Sequence, residues 1–466
     1  MLLEIFDSYR RGIPFNRIWR EYVWFNLAHV CRNWRAVMFA SASRLDLGIA
    51  VGPEKPGHIK TILSSPLPIY IDYQCECREM TDSALWRMRV VLQHHHDRVR
   101  RISLAGSTAW YDKFVNATNY PFPVLESLDL RVRDGEVELP DTFLRGPDLS
   151  DLHLRGLELA GVSLASISRF LLSATALTDL SLAVDYGFSP SAATSLFTCL
   201  QGMPFLRRLC LYIARSPLDS QVQRLSTPKH IVPLSKLTHF YYRGHVFFLD
   251  ALMTGILAPS LRDVSIYVGV WSPIVHLPHF INGIEEHYHA VHVDFQSVFR
   301  LSLMTQATQS SYMSHHPPCF TLSTIFSQVT IDRSVEPEWT LLLSDALSAR
   351  FVTAEELHLA FDQIRIAANI WLDDTLWLKF LRQFPSVKAL QIDGGYGYTY
   401  CIAPVLLRGH KESDDDLTFL PALEEIELHQ GIGPELPEGL EAFQPFISAR
   451  QKAGRPVKVL YIPYPY

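Results

Sequence analysis

The sequence predicts an α/β fold, a solenoid in which one short strand-and-return unit is stacked many times. Three observations carry the prediction: a recurring apolar motif, the near-constant spacing of its copies, and helix-capable segments between them. The motif is L-x-x-L-x-L. It reads LESLDL from Leu125, LSDLHL from Leu149, LTDLSL from Leu177, LRRLCL from Leu206, LTHFYY from Leu237 and LRDVSI from Leu261, and it returns as VKALQI from Val387 and LEEIEL from Leu423. Looser copies start at Val99 (VRRISL), Tyr288 (YHAVHV), Phe326 (FSQVTI) and Ala354 (AEELHL). The six copies from Leu125 to Leu261 are spaced by 24, 28, 29, 31 and 24 residues. Stacked leucine-rich repeats have periods of roughly 20–29 residues, so this is a slightly stretched version. Side chains alternate along a strand, so the L-x-L pair points to one side. A single unit cannot bury its leucines alone, and stacked neighbours bury them together.

Read from the N-terminus, residues 1–47 predict a separate helical module. Asn16 to Phe39 carries Ile18, Trp19, Tyr22, Val23, Val30, Trp34 and Val37 at partly helical spacing. Residues 48–98 form a transition punctuated by Gly52-Pro53, Pro56-Gly57, Pro66 and Pro68. Within it LPIYIDY from Leu67 predicts a strand, and TDSALWRMRVVLQHHHDRV from Thr81 a helix capped by Thr81 or Asp82. The array runs over 99–429. ASISRFLLSATA from Ala165 predicts one return helix. PSAATSLFTCLQGMP predicts another, opened by Pro190 and stopped by Gly202-Met203-Pro204. The period fails between about 270 and 350, where WSPIVHLPHF and SSYMSHHPPCF intervene. TLWLKFLRQFPSVKALQID then restores helix, turn and strand. Gly394 to Asp416, with GGYGYTY and Asp414-Asp415-Asp416, predicts an exposed loop. Residues 430–466 form a cap and tail, in which Arg450, Lys452, Arg455 and Lys458 read as a solvated basic end.

Composition narrows the function. Of 466 residues, 48% are hydrophobic and 19% charged, which fits a folded chain. The net charge of −6 supplies no basic field for nucleic acid. Seven scattered cysteines predict reduced thiols in an intracellular compartment, cytoplasm or nucleus. The N-terminal MLLEIFDSYRR holds Glu4 and Asp7 inside its apolar stretch, unlike a secretory signal. The longest apolar run, Ile266 to Leu277, is too short for a membrane span of about 20 residues.

No catalytic motif is present: there is no G-x-S-x-G, G-x-x-x-x-G-K-[ST], G-x-G-x-x-G or H-E-x-x-H. His94-His95-His96 are adjacent, so they point apart and read as a solvated helix end rather than a metal site. Cys75-x-Cys77 lacks a second ligand pair. His276, His279, His287, His289 and His292 have no diagnostic spacing, and His315-His316 no evident partner. The expectation is a non-enzyme with no cofactor and no metal.

The ends of the chain resemble a large set of fungal F-box proteins with degenerate leucine-rich repeats. LLEIFDSY with LAHVCRNWRAVMFASASRLDLGI is similar to that family's F-box and its exit, and PLPIYIDYQ to the strand that follows. WLKFLRQFPSVKALQI, LPALEEIELHQ and LEAFQPFISARQKAGRPVKV resemble its last repeats and tail. The resemblance implies that 1–47 docks on a Skp-type adaptor of a cullin–RING ubiquitin ligase while the repeats select a target protein. Leu2, Leu3, Ile5 and Phe6 match the module's first apolar helix, and Val30, Cys31 and Trp34 its V-C-x-x-W segment. The physical mode is an apolar helix face in a partner's groove. Family members carry a Leu-Pro pair and an acid before the L-L-x-I-F run. Here Met1 directly precedes Leu2, so the module is expected to be shortened. The alternative reading is an adaptor-free repeat scaffold for protein interactions.

In each motif the residues between the leucines face away from the core. The predicted face holds Ser127, Asp129 and Arg131, then Asp151, His153 and Arg155, then Asp179 and Ser181. Arg208, Cys210 and Tyr212 follow, with His239, Tyr241, Arg243, Asp263, Ser265 and Tyr267. Glu356, His358, Gln391, Glu425, Glu427 and His429 close it. Tyr and Arg are enriched at interface hot spots. Arg208, Tyr212, Tyr241, Arg243 and Tyr267 are therefore the predicted partner-binding patch.

Overall fold

The computed structural model describes residues 4–5, 30–40, 49–52, 67–74, 82–117, 120–140, 143–144, 153–184, 190–213, 231–244, 246–268, 280, 290–295, 298–304, 320–325, 351–361, 374–393, 396–412, 419–430 and 438–463. They form an α/β fold whose strands are mostly parallel. The chain divides into two compact units, Met1–Leu206 and Arg207–Tyr466, a division that falls inside the 99–429 segment.

In the first unit, β1 (Ile49–Val51), β2 (Ile69–Gln74), β3 (Val99–Gly106), β4 (Ser127–Val132), β5 (Gly156–Ala160) and β6 (Asp179–Val184) pair side by side in chain order, all parallel. Pairing therefore begins in the 48–98 segment, ahead of Val99. Between strands run α2 (Asp82–His95), α3 (Thr108–Ala117), α4 (Leu164–Ser173) and α5 (Pro190–Gln201); α1 (Arg32–Ala40) precedes β1. The helices match the sequence expectations for 81–99, Ala165 onward and Pro190 onward.

The apolar motif explains the pairing. Ile102, Leu128, Leu157 and Leu180 stand in one row across β3 to β6, and Leu104, Leu130, Leu159 and Leu182 in the next. All are buried. The first motif residue closes a turn. The amide of Leu125 donates to Phe122, Leu177 to Ala174, Leu206 to Met203, Leu261 to Ala258, Val387 to Phe384 and Leu423 to Leu420, at 3.1–3.4 Å. Pro123, Pro204, Pro259, Pro385 and Pro421 occupy the second position of five of these turns, where a fixed φ is pre-set. The second motif residue continues the ladder below the strands. Glu126 donates to Arg100, Arg155 to Glu126 and Thr178 to Arg155, each at 2.8 Å.

That ladder corrects one register. The copy LSDLHL from Leu149 does not form the strand. The strand comes from LRGLEL at Leu154, whose Leu154, Leu157 and Leu159 are buried and whose Arg155 joins the ladder. Asp151 lies outside the described residues, and His153 and Arg155 precede β5. Glu158 takes the open-face position instead.

In the second unit the strand order is β7 (Arg208–Ile213), β9 (His239–Gly244), β11 (Asp263–Val268), β14 (Phe320–Ile325), β13 (Val298–Met304), β12 (Ala290–Phe295), β15 (Glu356–Phe361), β16 (Ala389–Asp393), β17 (Glu425–Gln430) and β18 (Lys458–Pro463). A small parallel pair, β8 (Val232–Pro233) with β10 (Ile256–Leu257), lies apart. The break in period between 270 and 350 has a structural counterpart. β12, β13 and β14 form a meander laid in reverse order between β11 and β15, with β13 antiparallel to both neighbours. β12 and β14 still run parallel to β15 and β11. The looser copy from Phe326 lies outside the described residues. Pairing also continues past residue 429, because β18 pairs with β17.

Helices α6 (Val246–Gly255), α7 (Asp374–Leu381), α8 (Tyr396–Glu412) and α9 (Glu438–Lys452) complete this unit. α8 overturns the expected loop over Gly394 to Asp416. Ile402, Ala403, Val405, Leu406 and His410 are buried, and α8 packs on α7 and α9. Tertiary packing outweighs the poor helix propensity of its Gly and Tyr residues. Gly409 is needed there: a Cβ would sit 2.6 Å from Phe419 and 2.8 Å from Leu378, both buried side chains. The basic end is not simply solvated either. Arg450 is 1% exposed, and its Nη2 donates to the Leu423 carbonyl at 2.8 Å. Burial, then Arg455, holds the Arg450 pKa below the usual guanidinium value. Lys458 pairs with Glu425 at 3.6 Å. Nor is the end of α2 fully solvated: His94 is exposed, but the His96 ring stacks on Tyr120 at 5.2 Å.

The alternation within one strand gives a direct test. Leu180→Ala removes a buried side chain and is expected to cost about 2–5 kcal/mol. Ser181→Ala, on the open face next to it, is expected to stay within about 0.5 kcal/mol. Urea denaturation of the two variants checks the difference; equal effects would contradict the assigned register.

Candidate functional site

The site grows from three adjacent parallel strands of the second unit. On β7, Leu209 and Leu211 point into the core; on β9, Phe240 and Tyr242 do so; on β11, Val264 and Ile266. The intervening residues are thereby fixed on the open face. Register places them in rows. Arg208, His239 and Asp263 form the first, Cys210, Tyr241 and Ser265 the second, and Tyr212, Arg243 and Tyr267 the third. All five residues of the predicted patch therefore meet on one surface.

Three tyrosines form a continuous aromatic ladder. The Tyr212 and Tyr241 rings lie 4.8 Å apart and the Tyr241 and Tyr267 rings 5.2 Å apart, tilted by 34° and 33°. Such contacts add roughly 0.5–1.5 kcal/mol each beyond simple burial. Burial pushes the Tyr241 hydroxyl up to about 12, and its two tyrosine neighbours add to the shift while Arg243 opposes it. Below, Tyr242 is buried, and burial raises its pKa strongly. Gly244, the last residue of β9, has no room for a Cβ, which would meet the Tyr242 hydroxyl at 2.8 Å and the Ile213 carbonyl at 2.9 Å.

The first row is joined by polar contacts. His239 Nε2 lies 2.7 Å from Asp263 Oδ2, and His239 Nδ1 lies 2.8 Å from the Thr238 hydroxyl. Desolvation holds Asp263 above the ordinary carboxylate range despite the opposing pull of His239, Arg262 and Arg208.

Elsewhere the open faces neutralise themselves. In the first unit the Ser103 hydroxyl donates to Asp129 Oδ2 at 2.9 Å. Arg131 joins Asp129 Oδ1 at 3.0 Å and Glu158 Oε1 at 2.7 Å. Arg101 lies over the Tyr70 ring at 5.1 Å. Near the C-terminus, the acidic face predicted from Glu425 and Glu427 is internally matched: Glu425 meets Lys458, and Glu427 meets His429 Nε2 at 3.1 Å. The His429 ring lies 6.4 Å from that of His358.

Of the adaptor-matching residues, Leu2, Leu3 and Phe6 lie outside the described residues. Ile5 is exposed, Val30 is 57% exposed, and Cys31 is exposed. Trp34 is half-buried on α1, and its amide donates to the Cys31 Sγ at 3.4 Å, so the thiol caps the helix start. Of the sulfur groups, Cys31, Cys199 and Cys210 form no disulfide; Cys75, Cys77 and Cys319 lie outside the described residues. Among the described residues no group of three or more His, Cys, Asp or Glu could hold a metal ion. Among them, too, no helix is long and apolar enough to cross a membrane.

Compared with known proteins, the chain matches no family model, and no curated protein matches it significantly. The face residues that sequence reading passed over include Ser103 and Glu158. The signal of Glu158, LRGLEL, overlapped a competing copy of the same motif.

Tyr241 titration tests the ladder. The raised pKa keeps the phenol neutral in the folded chain while an unfolded tyrosine ionises near its ordinary value of 10.0. The associated stability is complete below pH 10 and is lost as pH rises towards about 12. The 13Cζ NMR shift of Tyr241 is expected to titrate near 12, and Tyr267→Ala is expected to bring that midpoint down. An unshifted midpoint in the intact protein would remove the ladder from the site.

Proposed function

We propose that this chain is a non-catalytic leucine-rich-repeat protein whose open sheet face binds a target protein. Its N-terminal F-box-like segment links that target to a cullin–RING ubiquitin ligase through a Skp-type adaptor. The observation that carries the binding half is the Tyr212–Tyr241–Tyr267 ladder with Arg208 and Arg243 beside it. A rigid aromatic surface with guanidinium groups at its edge suits protein recognition. The repeated turn, strand and amide ladder supports the solenoid architecture, because each unit depends on its neighbour. The ligase half rests on the likeness of 1–47 to an F-box. Of the residues matching that module, Val30 and Ile5 are exposed. In this reading the mechanism is proximity: the array holds a target while the chemistry happens on another subunit. The setting is the cytoplasm or nucleus.

Pull-down with a purified Skp-type adaptor tests the ligase half. The full chain is expected to retain the adaptor, while Trp34→Ala and a chain lacking residues 1–47 are expected to lose it. No retention by the full chain would leave an adaptor-free repeat scaffold as the reading. The binding half has its own check, in which Arg208→Glu with Arg243→Glu is expected to weaken target capture at least about tenfold, roughly 1.4 kcal/mol.

A further inference from the structure

Arg243 differs from the other cations on these faces. Arg131 is held between Asp129 and Glu158, Lys458 faces Glu425, and His429 faces Glu427. Arg208 and Arg262 feel the charge of Asp263, as His239 does. Arg243 is exposed, and among the described residues no carboxylate pairs with it. Its register neighbours are Tyr212 on one side and Tyr267 on the other, and Tyr241 stands two positions earlier on its own strand. One guanidinium thus stands on the open face within a collar of tyrosine positions set by the strand register.

We infer that this collar takes an acidic, extended polypeptide segment: an Asp or Glu side chain on Arg243, with a proline or aromatic residue two positions away against Tyr241. The inference rests on the protein-binding reading above. Guanidinium and carboxylate match as planar, bidentate partners. The spacing follows from the strand: residues two apart on β9 stand roughly 6.6–7 Å from each other, and so do alternate residues of an extended peptide lying along it. A monoanion suits the site better than a phosphate. The Asp263 carboxylate lies in the same patch, at the register position opposite His239, and repels a dianion more strongly than a monoanion.

The test is selection of a random dodecapeptide phage library on the purified full chain, followed by fluorescence anisotropy with the enriched peptides. Enrichment of Asp or Glu two positions from Pro or an aromatic residue is the expected result. Replacing that acid by Ala in the peptide, or Arg243→Ala in the protein, is expected to weaken binding at least about tenfold, with no further loss when combined. Arg243→Glu is expected to recover binding when the peptide acid becomes Lys. Circular dichroism establishes that each variant is folded. Enriched peptides without an acid, or no enrichment, would overturn the inference. So would phosphoserine binding tenfold more tightly than Glu at the same position. If Tyr241→Ala abolishes binding while Arg243→Ala leaves it intact, the protein-binding face stands and the acidic anchor falls. Binding unchanged in both variants counts against the face itself.

Discussion

Alternate leucines on a strand can be buried only if the neighbouring strand carries its own in the same register, and the rest of this chain follows from that requirement. A slip of one residue would turn every leucine outward and every polar residue inward. Two devices hold the register. The turn before each strand fixes the entry of the chain, and the second motif residue passes an amide hydrogen bond to the unit before it. Both act through backbone groups, so they tolerate different side chains. Where the motif reads LTHFYY rather than L-x-x-L-x-L, Phe240 and Tyr242 occupy the same rows as Leu209 and Leu211.

The same requirement creates the candidate site without specifying it. Once one side of β7, β9 and β11 is committed to the core, the other side is presented at fixed intervals. In the first unit those positions hold Ser103, Asp129, Arg131 and Glu158, which satisfy one another. Across β7, β9 and β11 they hold tyrosines, whose rings reach diagonally between rows and touch. Aromatic side chains reach the diagonal neighbour on the next strand, which short polar ones do not. One scaffold therefore yields a self-neutralised face in one place and a ladder with an open charge in another.

Legibility in the sequence followed the same division. The strands from Leu125, Leu177, Leu206, Leu237 and Leu261 could be read because a period-two apolar pair survives inside a longer period. All five patch residues could be placed on one face from that alternation alone. The misreadings arose where local pattern and tertiary packing compete. LSDLHL and LRGLEL both satisfy the motif within five residues, and strand pairing with the amide from Arg155 to Glu126 decides between them. Tyr396–Glu412 has glycines and a proline that read as loop, yet Ile402, Val405 and Leu406 find a helical core. Arg450 has no sequence mark of burial, because its partner is a backbone carbonyl 27 residues away. The reversal of β12, β13 and β14 is a matter of strand direction, which periodicity does not encode.

Rigidity links this architecture to recognition. Binding requires side chains at an interface to lose rotamer freedom, at about 0.5–1.5 kcal/mol for each one immobilised. Tyr212, Tyr241 and Tyr267 are held against one another before any partner arrives, and their backbones belong to paired strands on both sides or within the sheet. Much of the ordering that a loop-built site undergoes on binding is therefore already complete. Arg243 is the contrast, exposed on the same strand. In the proposed reading the tyrosines would supply contact area to any flat group, while Arg243 would discriminate by charge.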